Sequence, residues 1–92
     1  MKIRLTGHVE VPPARWDAVL AALPEHIRLS QAEPGCLQFL VVPLVAAGRL
    51  EVDETFRDRA AFDAHQARLA GTGWARATTG LVRHYQVAEL PA

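Results

Sequence analysis

One cysteine, Cys36, among 92 residues excludes an intrachain disulfide and leaves the fold dependent on its apolar core. An excess of charge is missing too: ten Lys and Arg balance ten Asp and Glu, which argues against a nucleic-acid grip and against a charged disordered tail. No apolar run approaches the roughly 20 residues that span a bilayer, and the first residues alternate in polarity instead of forming a leader core. The expected partners therefore include no nucleic acid and no membrane, and the expected location is cytoplasmic. Metal-ligand spacing is also lacking, because His8, His26, His65 and His84 are scattered along the chain. No metal site is expected from that spacing, although convergence in space stays open.

Half of the residues are apolar, enough for one domain over residues 1–92 built on a single core. In "KIRLTGHVE" (2–10), Ile3, Leu5, Gly7 and Val9 alternate with polar residues, the period of a strand. The Pro12-Pro13 pair stops it and opens a helix in which Trp16, Val19, Leu20, Leu23 and Ile27 recur at helical spacing. Pro24 predicts a kink or a break into two helices, with His26 exposed. "EPG" (33–35) ends the helical stretch, and "CLQFLVV" (36–42) reads as a second strand. After a connector, "RLEVDETF" (49–56) is a third strand with Leu50, Val52, Glu54 and Phe56 on one face. Asp58 suits the N-cap of a helix carrying Phe62, His65 and Leu69 on one stripe. "AGTG" breaks that helix, a short helical piece surrounds Trp74, and "LVRHYQV" (81–87) is the last strand, with Leu81, Arg83, Tyr85 and Val87 expected to face the helices.

The order strand, helix, strand, strand, split helix, strand predicts an α+β, ferredoxin-like βαββαβ fold with an antiparallel sheet. Helices cover one face of such a sheet. The other would carry Thr6, His8, Leu40, Val42 and Asp53, a mixed surface that a homodimer packed sheet against sheet would cover.

Three stretches, "SQAEPGCLQF" (30–39), "ETFRDRAAFDAH" (54–65) and "RHYQV" (83–87), resemble the antibiotic biosynthesis monooxygenase family, which includes small quinol monooxygenases. The resemblance implies a dimeric α+β barrel and, for several members, oxygenation of phenols, quinols or polycyclic aromatics by molecular oxygen without a bound metal or flavin. Other members degrade haem, isomerise small carbonyl compounds or have no assigned activity, so kinship of fold does not fix the chemistry. The haem-degrading members use an asparagine on the first strand and a tryptophan on the later helix, where this chain has Gly7 and His65.

Each candidate residue carries two readings. His65 is either a boundary histidine packed on the sheet or a general base, since its ordinary pKa near 6.5 suits proton transfer at neutral pH. Glu54 faces the core and needs a partner, for which His65 and Arg83 are the candidates; the result is a structural ion pair or part of a catalytic one. Arg83 could stabilise a phenolate, and Tyr85 could donate to a carbonyl or simply pack. Trp74 fills the core, walls an aromatic substrate site, or does both. Phe62 and Gly7 complete the expected substrate-binding set. Cys36 opens an apolar strand and is expected to act as a small hydrophobe. The expected activity is cofactor-independent monooxygenation of a small aromatic quinol or phenol, with oxygen as co-substrate and His65, Glu54 and Arg83 as catalytic groups. The alternatives are a small-carbonyl isomerase and a non-catalytic dimeric module that binds a small ligand.

Overall fold

The alternating N-terminus forms β1 (Lys2–Glu10), and the computed structural model describes residues 1–91. Helix α1 (Pro13–Gln31) follows from a Pro12 N-cap, then come β2 (Cys36–Leu44), a 3-10 turn (Val45–Ala47) and β3 (Arg49–Phe56). Helix α2 (Arg59–Leu69), the short α3 (Gly73–Ala77) and β4 (Arg83–Leu90) complete the chain. All strand pairs are antiparallel in the order β2-β3-β1-β4, the ferredoxin-like arrangement of an open α+β sheet.

Helix α1 runs unbroken through Pro24, so of the kink or break expected there, the break does not occur. Proline removes one amide donor, but the residues on both sides stay anchored: Val19, Leu23, His26 and Ser30 form one buried stripe against the sheet. His26 is therefore buried, not exposed. The second strand extends past Val42 to Leu44, and the last begins at Arg83 and ends at Leu90, so Leu81 is a buried loop residue.

The second helical region is split as expected. Asp58 caps α2 by accepting from the Ala61 amide at 2.8 Å, and Thr72 caps α3 by accepting from Ala75 at 3.1 Å. Gly71, at φ 77°, supplies the left-handed residue between the two helices.

Ile3, Leu5, Val9, Leu50, Val52 and Phe56 present the sheet's inner face to Val19 and Leu23 of α1 and Phe62 of α2. A bulge between Cys36 and Gln38 puts Leu37 outside the ladder and resets β2, so that Phe39 pairs with Glu54 on the helix side. The helices lie mainly over β1, β2 and β3. Arg83, Tyr85 and Val87 share the inner face with their partners Val9, Gly7 and Leu5, yet they remain exposed because β4 is an edge strand beyond the helices. On the opposite face, Leu40 and Val42 are also exposed.

Candidate functional site

A cavity of about 350 Å³ lies between the sheet's inner face and the helices. Leu5, Val41, Val52 and Glu54 form its floor, His26 reaches it from α1, and His65 and Leu69 reach it from α2. Trp74, Thr78, Arg83 and Tyr85 close the remaining side. Its size suits a small organic ligand, and its wall mixes apolar side chains with a larger share of polar ones than most such pockets carry.

The fold brings His65, Glu54, Arg83, Trp74 and Tyr85 to this one cavity. Two other candidates lie elsewhere. Phe62 packs edge-on against Phe56, with ring centroids 5.6 Å apart, and belongs to the solid core. Gly7 lies where β1 passes close to β4: its φ is 140°, and a Cβ there would fall 1.9 Å from the His84 carbonyl oxygen. Glycine at this position answers the close approach of two backbones, and Gly7 lines no part of the cavity.

His65 is only 2 % exposed and rests on the sheet between Phe56 and Phe39, with ring centroids at 4.9 and 5.6 Å. Its Nδ1 donates to the Glu33 carboxylate, whose oxygens lie at 2.8 and 2.9 Å. A carboxylate accepts only, so this contact fixes the proton on Nδ1 of the neutral ring and leaves the Nε2 lone pair free. Nε2 is 3.7 Å from Glu54 Oε1, too long for a good hydrogen bond but close enough for the two groups to share a proton through a small movement. Arg68 holds Glu33 from the far side at 2.9 Å and also donates to Ser30 at 3.0 Å.

The close carboxylate partner of His65 is thus Glu33, where the sequence offered Glu54. Nothing in the sequence signalled it, because Glu33 sits in a turn 32 residues before its partner.

Burial pushes the Glu54 carboxyl up to about 7, with the charges of Glu33 and Asp53 adding to the effect. The same desolvation lowers His65 below its ordinary value, against the opposing pull of Glu33. A carboxyl that titrates near neutrality therefore faces an imidazole that favours its neutral form.

Arg83, considered as a partner for Glu54, is turned to the loop before β4, where it donates to Thr78 Oγ1 at 2.9 Å and to the Leu81 carbonyl at 3.2 Å. It still lines the cavity as a fixed positive group. The Tyr85 phenol is pushed above its ordinary value by desolvation, with the nearby Arg83 charge opposing.

The sequence reading missed His26. It is 5 % exposed and stacks on Trp74 with centroids 4.4 Å apart and planes 2° from parallel. Its Nδ1 is buried without a protein partner, and burial, reinforced by the charges of His65 and Arg68, lowers its pKa to about 3. The spacing Val19, Leu23, His26, Ser30 is a helical stripe and could have revealed it, had a break at Pro24 not been expected.

A ferredoxin-like α+β sheet with helices over one face defines the structural class. Within it, the sequence profile of the antibiotic biosynthesis monooxygenase family matches residues 3–77, and the chain belongs to that family.

Solved structures agree on the fold. Rv0793 from Mycobacterium tuberculosis is 18 % identical with a TM-score of 0.78, over 100 % of this chain and 97 % of that one. PA3566 from Pseudomonas aeruginosa is 24 % identical with a TM-score of 0.71, over 97 % and 91 %. A structure described as an antibiotic biosynthesis monooxygenase is 22 % identical with a TM-score of 0.72, over 98 % and 97 %. No curated protein sequence is similar enough to match. Among the described residues, no helix is long and apolar enough to cross a membrane.

Proposed function

We propose that the protein is a cofactor-independent monooxygenase that oxidises a small aromatic quinol or phenol with molecular oxygen. The observation that carries this reading is the convergence of Glu54, His65, Trp74 and Arg83 on one cavity. The substrate ring stacks on Trp74, and its hydroxyl points to the Glu54–His65 pair.

A phenol titrates near 10 and Glu54 near 7, so proton transfer to the carboxylate is uphill by about 3 units, roughly 4 kcal/mol. The Arg83 guanidinium, at the exposed edge of the cavity, offsets part of that cost by stabilising the phenolate. His65, held by Glu33, relays the proton from Glu54. The electron-rich anion then reduces oxygen: one oxygen atom bonds to a ring carbon, the other leaves as water, and the ring, oxidised to a quinone, supplies all four electrons.

In this proposal two copies pack through the exposed sheet faces, which covers Leu40 and Val42.

Oxygen consumption with a panel of quinols, naphthols and anthrones tests the reading. Turnover should stop under nitrogen and fall at least about 100-fold in Glu54→Gln and His65→Ala, the scale of lost acid–base catalysis. Equal product under nitrogen would instead assign proton transfer next to a carbonyl, an isomerase. Saturable quenching of Trp74 without product would assign a binding module.

A further inference from the structure

We propose that His8, Glu10 and His84 form a binding site for a divalent transition-metal cation of the zinc class, on the sheet face turned away from the helices. His8 and Glu10 are two apart on β1 and so project from the same face, and His8 pairs directly with His84 across β4. The two imidazole centroids lie 4.7 Å apart, and His84 Nε2 touches Glu10 Oε2 at 2.5 Å. One ligand atom from each of the three side chains can be chosen so that all lie within 4.8 Å of one another.

Ligands about 2.0–2.2 Å from a zinc ion stand roughly 3.3 Å from each other, so small rotations of these side chains complete the coordination. Two imidazoles and a carboxylate suit zinc, iron(II), nickel or copper, and suit magnesium and calcium poorly. Three protein ligands leave further positions for water.

An ion pair between His84 and Glu10 accounts for only part of the arrangement. Exposed pairs stabilise weakly, and this one gives no reason for a second imidazole beside the first. A metal ion uses both imidazoles at once, each through a ring nitrogen. On β3, His8 faces Glu51 and Glu10 faces Arg49, and those two residues pair with each other at 2.9 Å.

The site is independent of the cavity, because alternation along β1 turns Val9 inward and His8 and Glu10 outward. In the sheet-to-sheet dimer the cluster faces the interface, where each copy holds its own ion or two copies share one.

Calorimetric titration of the chelator-stripped protein with zinc chloride tests the proposal, with magnesium chloride as the comparison ion. Saturable zinc binding with one ion per chain, or one per two chains, is expected, and no magnesium binding. His84→Gln and His8→Gln should each weaken it at least tenfold with an unchanged far-ultraviolet circular dichroism spectrum. Cys36→Ser should bind as the parent does, because Cys36 lies on β2, beyond β3 from this cluster. Cobalt(II) gives an independent reading on the unaltered protein, through d–d absorption shaped by imidazole nitrogens. Absence of saturable zinc binding up to about 1 mM, absence of that spectrum, or full binding by the His8→Gln/His84→Gln double variant would overturn the assignment.

Discussion

His65 Nδ1 and the Glu33 carboxylate meet at 2.8 Å across 32 residues of sequence. That contact sets the tautomer of the imidazole, and hence which of its nitrogens can take a proton from the cavity side. Removing it should cost both stability and chemistry. Glu33→Ala leaves His65 Nδ1 and Arg68 Nε without their acceptor, an expected loss of about 2 kcal/mol in urea unfolding. Nitrogen-15 spectra of the imidazole should then show a mixture of tautomers where the parent shows one.

Stability should depend on pH through two buried groups of opposite sign. Glu54 binds its proton more tightly when folded, so its stabilisation is complete below its ordinary value of 4.5 and is lost as pH rises to about 7, a change on the order of 3 kcal/mol. His26 binds its proton less tightly when folded, so its contribution is present above 6.5 and is lost as pH falls toward about 3. Between 4.5 and 6.5 the two slopes oppose each other. Glu54→Gln should therefore expose a rise of stability with pH in that window, and His26→Phe a fall. Urea midpoints at half-unit steps of pH check both, and parallel curves for the two variants would contradict the assignment.

Trp74 should report directly on His26. Their rings are stacked, so His26→Ala removes one face of the indole's packing and opens space beside the cavity. A loss of about 1–2 kcal/mol is expected, with a red shift of tryptophan emission. His26→Phe keeps a stacking ring and should recover most of both. Trp16 is unchanged in both variants and supplies a constant background.

Gly7→Ala tests the close contact of β1 with β4. Its Cβ would meet the His84 carbonyl oxygen at 1.9 Å, and its φ of 140° is unfavourable for alanine. The strands must separate or slip. A loss of about 3 kcal/mol is expected, with amide exchange accelerating first in β4. Because the pair also holds His8 beside His84, zinc binding should weaken along with it.

Much of this organisation was legible along the chain. Alternation in "RLEVDETF" put Glu54 inward, and β3 has the bounds that alternation gave. Asp58 at the start of α2 behaved as its side chain predicts, because an N-cap is settled within four residues. His65 fell on the inner stripe for the same reason: a helical period is a local property.

Pairings set by docking were not legible. Pro24 argued locally for a break, but the stripe of Val19, Leu23, His26 and Ser30 against the sheet keeps α1 whole and carries His26 onto Trp74. The extra residue Leu37 in β2, the meeting of Glu33 with His65, and the turn of Arg83 toward Thr78 instead of Glu54 each depend on where separate elements come to rest. Sequence by itself determined the order of the elements and the inward faces of β1, β3 and α2, since those follow from backbone periods of 2 and about 3.6 residues. Only the tertiary structure decided which charges touch, because a contact across tens of residues is fixed by the packing that brings its two ends together.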